Sequence, residues 1–346
     1  MASTIVGLDI GRDSLKAVEL EDAQKAHPKV VRYHELDLPV GAVQSGEVRE
    51  VHTVASALKR LWVAGGFKSK NVILGMGNQR VLARDLTVPK MSLSQIRESL
   101  QFQVQDMLPV PVAEALLDFY PVSESVGESG PVINGLLIAA VKETVMANVT
   151  AVRLAGLVPL EVDLIPFALT RVFAPQPTTG TVALVDIGGT TTNVVVVTDG
   201  VPQFVRIIPA GGDDVTNALV AGLSLTVQQA EEFKRAFGLA AAAVIEDRPA
   251  VEIIYEATSE LLGSLRNTLS YYANSRATQS LSQIILSGGG AQMVGLGAAL
   301  SEMTRLPVVE GNPMERFAMA RSAPGGGVQM RQSMTVALGL ALGSAA

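Results

Sequence analysis

Apolar runs broken by one short polar turn occur twice in this chain. In the first, residues 5–8 read as a strand, the polar stretch from Asp9 to Ser14 interrupts it, and residues 15–20 alternate with a period of two. In the second, residues 182–186 run apolar into Asp186, the sequence Ile-Gly-Gly-Thr-Thr-Thr follows, and residues 194–197 are four valines. Each reads as a β-hairpin with a tight turn. Between them the spacing becomes helical. Val54, Leu58, Leu61 and Trp62 predict a helix over 53–64, which Gly65 and Gly66 stop. Residues 71–77 then read as a strand.

From residue 86 to about 159 the pattern has another character. Ser92 or Ser94 suits a helix N-cap, and Ile96, Leu100, Val104 and Leu108 mark one helical face before Pro109 and Pro111 end it. Residues 116–122 and 135–141 predict two strands joined by a polar loop, 123–131. Residues 144–155 predict a second helix closed by Gly156. The simplest reading is a compact insert of two helices and a small sheet. The apolar face of its first helix reads as ordinary core.

Composition bounds the function. The chain has 346 residues, more than a single core usually holds, so two or more domains are expected. It is 48% hydrophobic with a formal net charge of −6, which argues against a nucleic-acid-binding surface. There is no cysteine, hence no disulfide or thiol chemistry. Asp9, Arg12 and Asp13 interrupt anything like a signal peptide, and the apolar run 336–342 is too short for a bilayer. A cytoplasmic protein without membrane insertion is expected. His27, His34 and His52 are scattered among polar residues and read as surface histidines.

The turns carry the chemistry. Asp9-Ile10-Gly11 and Asp186-Ile187-Gly188 repeat one unit: strand, carboxylate, glycine, hydroxyl, strand. One such turn would be ordinary hairpin chemistry. Two suggest similar half-domains that each offer a carboxylate for a metal and a glycine turn for an anion to one shared ligand. Three further stretches follow in order. "IIPAGGDDVTNAL" sets Gly211 and Gly212 before a helix. "AEEFKRAFG" puts Glu231 and Lys234 on a helix. "IILSGGGAQMVGL" runs a strand into Gly288, Gly289 and Gly290.

These five signals together resemble the actin-like superfamily of ATP-binding proteins. The insert and the stretches "VPKMSLSQIRESLQFQVQDMLPVPVAEALLDF", "GLDIGRDSLKAVEL" and "TVALGLALG" are similar to the PilM family of type IV pilus assembly proteins. The related FtsA family would end in a basic amphipathic helix, whereas residues 340–346 carry no charge. The resemblance implies an α/β, two-lobed actin-like (ribonuclease H-like) fold with duplicated cores and an inserted subdomain. Its parts would be 1–84 with 160–177 and 327–346, an insert at 85–159, 178–210 with 281–326, and a nucleotide-side subdomain at 211–280.

The resemblance also implies ATP and Mg²⁺ between the lobes. Asp9 and Asp186 would organise the metal. Gly11, Ser14, Gly188, Gly189, Thr190 and Thr191 would wrap phosphates, with Arg12 and Lys16 as candidate phosphate cations. Gly211, Gly212, Glu231, Lys234, Gly288, Gly289, Gly290 and Met293 would meet the ribose, base or α-phosphate. The expected partner is the N-terminal cytoplasmic peptide of a PilN-like inner-membrane protein, held in a groove beside the insert. Other pilus platform proteins and self-association are compatible with it. The first turn departs from the family's Ser/Thr-rich pattern through Arg12-Asp13, and Asp13 would repel polyphosphate unless it turns away or pairs with Arg12. No residue stands out as the base of phosphoryl transfer, so at most slow ATPase activity is expected. An FtsA-like filament protein and a small-molecule kinase are the alternatives.

Overall fold

The computed structural model describes residues 4–175, 179–239, 248–276, 279–320 and 332–343. Both predicted hairpins form. Strands β1 (Ile5–Ile10) and β2 (Ser14–Glu21) pair antiparallel, and β3 (Lys29–Asp37) extends the meander. A small hairpin, β4 (Val43–Gln44) and β5 (Glu47–Val48), precedes helix α1 (Val51–Gly65). Gly66 ends that helix in the left-handed region, at φ 63°, where a missing Cβ removes the steric penalty. Strand β6 (Asn71–Met76) then lies parallel to β1.

The insert follows as β7 (Val81–Pro89), α2 (Leu93–Gln103), β8 (Ala115–Gly127) and β9 (Gly130–Val141). Ser92 caps α2 reciprocally with Gln95, which settles the choice between the two serines. The helix stops at Gln103 and a tighter turn, Gln105–Met107, follows, so Leu108 lies beyond it. The polar loop expected at 123–131 is mostly ladder. Strands β8 and β9 stay paired from Ala115 with Val141 to Gly127 with Gly130. Polar residues on the solvent face of a long hairpin mimic loop composition.

Helix α3 (Lys142–Leu154) corrects a second expectation. Read from sequence it belonged to the insert, but its buried residues Val145, Val149, Ala151 and Val152 join the core of α1 and β6. The insert keeps a separate cluster of Val88, Ile96, Leu100, Val104, Phe119, Ile133 and Leu137. Leu100 is fully buried there. Leu100→Ala is therefore expected to destabilise the insert by about 3 kcal/mol through lost burial and a residual cavity. Urea unfolding would read this, and a loss below about 1 kcal/mol would contradict the packing.

Strand β10 (Val158–Leu164) and helix α4 (Ile165–Phe173) complete the first lobe. The second lobe repeats its plan: the meander β11 (Thr181–Ile187), β12 (Thr192–Thr198) and β13 (Val201–Ile208), then helices α5 (Gly212–Leu223), α6 (Val227–Phe237) and α7 (Arg248–Ser275). Strand β14 (Leu281–Ser287), helix α8 (Leu296–Thr304) and strand β15 (Val308–Glu310) close it, and β16 (Ala318–Met319) returns to pair with β3. The sheet orders β10-β6-β1-β2-β3-β16 and β13-β12-β11-β14-β15 share five equivalent strands. In each, an antiparallel meander is followed by two parallel strands. The subdomain boundaries expected at 177–178 and 326–327 lie outside the described residues.

Helix α4 joins the lobes. Its Ala168 and Leu169 share one core with Val182, Leu184, Val195 and Val197 of the second sheet. The opposite face of that sheet, with Ala183, Val185, Val194 and Val196, packs on Leu261, Leu265 and Leu269 of α7. The last described helix, Thr335–Ala341, is buried throughout between β1 and α4. The insert also reaches the second lobe, where Arg276 lies 2.9 Å from Asp85.

Candidate functional site

The two hairpin turns have one geometry. In the first, the Gly11 amide donates to the Ser14 carbonyl at 3.0 Å; in the second, the Gly188 amide donates to the Thr191 carbonyl at 2.9 Å. The offsets from Asp9 and Asp186 are identical. A Cβ on Gly11 would stand 2.9 Å from the Ser14 carbonyl, so the tight closure needs glycine. This closure also changes the expected roles. The Gly11 and Gly188 amides are already bonded, and the next amides along each turn, those of Arg12, Asp13, Gly189 and Thr190, donate to no protein acceptor among the described residues. Those four are the ones left open to an anion.

The carboxylates face each other between the lobes. Asp186 is buried, and burial, with the nearby charge of Asp9, pushes its carboxyl up to about 6. Burial likewise raises Asp9, and the Lys16 ammonium opposes that rise. Lys16 is directly opposite Asp9 in the β1–β2 register, with Nζ 3.8 Å from Asp9 and 3.7 Å from Glu35. It belongs to the cleft and is not an exposed strand lysine. Asn193, opposite Asp186 in the β11–β12 register, is buried with its Oδ1 unpartnered. A Cβ on Gly77 would stand 2.7 Å from that oxygen, so the missing side chain lets the first lobe close on it.

Several expected phosphate contacts are occupied by protein. Ser14 Oγ donates to Glu35 at 2.7 Å, and Ser333 Oγ donates to the other oxygen of Glu35 at 3.2 Å. Arg12 forms an ion pair across the cleft with Asp213, the second residue of α5, and lies 3.5 Å from Asp13. Asp13 is itself exposed, so water screens its charge.

The rest of the cleft is built from stacked glycine segments. Gly212 donates to the Gly188 carbonyl at 2.9 Å and Asp213 to the Gly189 carbonyl at 2.8 Å. A Cβ on Gly211 would collide with both carbonyls, at 2.5 and 2.4 Å, so the N-terminus of α5 can lie on the second turn only through glycine. Gly288, at φ +90°, and Gly290 pack on Ile187, whereas Gly289 faces open space. Beside them Lys234 Nζ donates to Glu231 at 2.5 Å, to Thr216 at 2.7 Å and to the Gly212 carbonyl at 3.0 Å. Partial burial raises the Glu231 carboxyl, but the bonds from Lys234 and Thr216 outweigh it and hold Glu231 below its ordinary range. Met293 is half-buried between the two second-lobe clusters, and its amide donates to the Gly290 carbonyl.

Sixteen of the residues singled out by sequence thus converge on one cleft floor or its walls, with Thr190 on the open turn and Met293 supporting from behind. Missed were Glu35, Asn193, Asp213 and Thr216. Asp213 and Thr216 stand in the quoted Gly-Gly-helix stretch, so a signal existed. Glu35 sits in an unremarkable alternating strand, and only the β2–β3 register brings it to Lys16.

The donor set fits a divalent cation. Two opposed carboxylates destabilised by burial would regain their charge on a cation, and Mg²⁺ is commonly held by one or two carboxylates with phosphate and water. No group of three or more His, Cys, Asp or Glu able to hold a metal is found among the described residues.

Duplicated sheets, a joining helix and a cleft lined by paired Asp-x-Gly turns define an actin-like two-lobed protein. A family model described as type IV pilus assembly protein PilM matches residues 7–345, and the chain belongs to that family. The structure of a PilM–PilN type IV pilus biogenesis complex is similar over 98% of this chain and 97% of that one, with 28% identity and a TM-score of 0.84. MreB 5 of Spiroplasma citri, solved bound to AMPPNP, shares the fold at 11% identity, covering 98% of this chain and 95% of that one, with a TM-score of 0.56. The cell division protein FtsA of Bacillus subtilis is 24% identical over 67% of this chain and 58% of its own length. FtsA of Pseudomonas aeruginosa is 30% identical over 38% of this chain and 36% of its own length. Among the described residues no helix is long and apolar enough to cross a membrane.

Proposed function

We propose that this chain binds Mg²⁺–ATP between its lobes and serves the type IV pilus inner-membrane platform by gripping the N-terminal cytoplasmic peptide of a PilN-like membrane protein. The observation that carries the nucleotide part is the matched pair of turns, each with two open amides and an aspartate, Asp186 buried and Asp9 partly buried. Asp9 and Asp186 would hold Mg²⁺ and its waters. The amides of Arg12, Asp13, Gly189 and Thr190 would receive phosphate oxygens, and Glu231, Lys234 and Gly289 would border the nucleoside. The bound nucleotide would supply charge that ties the lobes together. The chain's own residues would orient it, and at most slow hydrolysis is expected. A ligand seated on both lobes stabilises the closed form by mass action. The peptide part rests on family membership and on the PilM–PilN complex, with the groove placed beside the insert.

Isothermal titration tests both parts. Micromolar binding of Mg²⁺–ATP and of a synthetic peptide from the cytoplasmic tail of the neighbouring membrane protein is expected, with Asp186→Ala abolishing the first and sparing the second. Nucleotide binding that survives Asp186→Ala would remove the site from this cleft. Nucleotide-dependent light scattering without the peptide would favour the FtsA-like filament reading.

A further inference from the structure

The charge of this acidic protein is unevenly placed. Between Glu50 and Asp85, and again between Glu143 and Glu161, the sequence has no acidic residue; Arg80 and Arg84 fall beyond β6, and the segments that precede β6 and β10 contribute Lys59, Arg60, Lys68, Lys70 and Arg153. The fold brings them together. Strands β6 and β10 are parallel neighbours, so the helices that feed them, α1 and α3, end at the same pole of the first lobe. The Val158 amide donates to the Lys70 carbonyl at 2.8 Å, which joins the two connections directly. This pole lies at the opposite end of the strands from Asp9.

All five cations are exposed, and none takes part in an ion pair among the described residues. Carboxylates of neighbouring elements do little to neutralise them. Glu19 is buried and paired with Arg32, Asp22 is paired with Lys25, Glu161 is half-buried, and Glu21 alone is exposed at that end of β2. Apolar side chains stand among the cations: Val63 is 84% exposed, Leu154 42%, Val158 48% and Leu160 52%. Strand β10 is also the sheet edge, and Pro159 with its bulge blunts it against strand addition.

We infer that this pole is a docking surface for an anionic lipid bilayer. Exposed cations without counter-charges, interleaved with exposed aliphatic side chains, match a layer of anionic headgroups over acyl chains. The protein's net charge of −6 would repel such a surface, so contact requires one locally basic face to be presented. The inference deepens the proposed role at the inner membrane and rests on it. Lipid contact would orient the chain beneath the bilayer that holds its peptide partner and raise their effective concentration.

The test is co-sedimentation of the full chain with phosphatidylglycerol-containing vesicles, with pure phosphatidylcholine vesicles as the control. Binding to the anionic vesicles only, weakening with salt, is expected. Each cation removed should weaken it about fivefold, so Lys68→Glu/Lys70→Glu/Arg153→Glu should abolish it, and Val63→Asp should reduce it independently. Each variant's fold is checked by its Mg²⁺–ATP titration, which should be unchanged. No vesicle binding by the wild-type chain, or binding that ignores the charge reversal, would overturn the inference. So would reversal variants that lose only an acidic protein of the platform while the wild-type chain ignores vesicles. If the chain binds nucleotide and peptide but not vesicles, this surface alone fails. If it binds vesicles but neither nucleotide nor peptide, the proposed function fails and the surface stands.

Discussion

Replacing Asp186 with asparagine is expected to stabilise the ligand-free protein near neutral pH while removing Mg²⁺–nucleotide binding. The buried carboxyl is pushed up to about 6, from an ordinary value near 3.8, chiefly by burial. A carboxyl raised in the folded state holds its proton more tightly folded than unfolded. Its contribution to stability is therefore complete below about pH 4 and is lost as pH rises through about 6. Charging Asp186 above that range costs on the order of 2–3 kcal/mol in the absence of a cation. Asn has no charge to bury, so the ligand-free variant should be more stable than wild type at pH 7.5 and close to it at pH 4. Asp9 is raised in the same direction. Saturating Mg²⁺–ATP should reverse the order, because only wild type gains binding energy. Urea unfolding at the two pH values, with and without ligand, reads all of this. Equal pH slopes for wild type and variant would show that Asp186 is not carrying a buried charge.

The second large effect concerns the last described helix. A Cβ on Gly7 of β1 would stand 2.0 Å from the Ala337 carbonyl oxygen and 2.5 Å from the Ala341 nitrogen. A Cβ on Gly339 of the helix would stand 2.2 Å from the Ala168 carbonyl oxygen in α4. In each case the obstacle is backbone, which cannot rotate away as a side chain tip can. Gly7→Ala and Gly339→Ala are each expected to destabilise the first lobe by about 3 kcal/mol, at the upper end of overpacking effects. Because β1 carries Asp9 and α4 joins the sheets, nucleotide affinity should fall with stability. Arg171 reinforces the same seam, donating to the Gly339 carbonyl at 2.9 Å and pairing with buried Asp163. Thermal unfolding of the two variants beside Gly263→Ala, where an added Cβ meets nothing, would test it. Three similar midpoints would exclude the close packing.

Much of the architecture was legible in the chain because its signals are local. Apolar runs ending in Asp-Ile-Gly write both hairpins within about fifteen residues. Gly66 and Gly156 mark helix ends through the one backbone region that favours glycine, and Ser92 with Gln95 writes its own cap. The glycines before α5 and after β14 announced tight approach without saying to what. Polar positions at 123–131 suggested a loop because solvent-facing ladder residues are chosen for the same solubility.

What lies across space was decided by the tertiary structure. Helix α3 follows the insert in sequence yet packs on α1, since its apolar stripe finds a deeper core there than the small insert sheet offers. Glu35 reaches Ser14 and Lys16 only through strand register. Arg12 meets Asp213 only because two lobes close, so the cation expected for phosphate takes part in an interlobe ion pair. The elevated Asp186 carboxyl is the clearest case: nothing in Val-Asp-Ile-Gly sets its proton affinity, which follows from the water removed when both lobes cover it. Local steric and hydrogen-bonding preferences are carried by neighbours in the chain, whereas desolvation and charge pairing depend on residues that only the completed fold brings near.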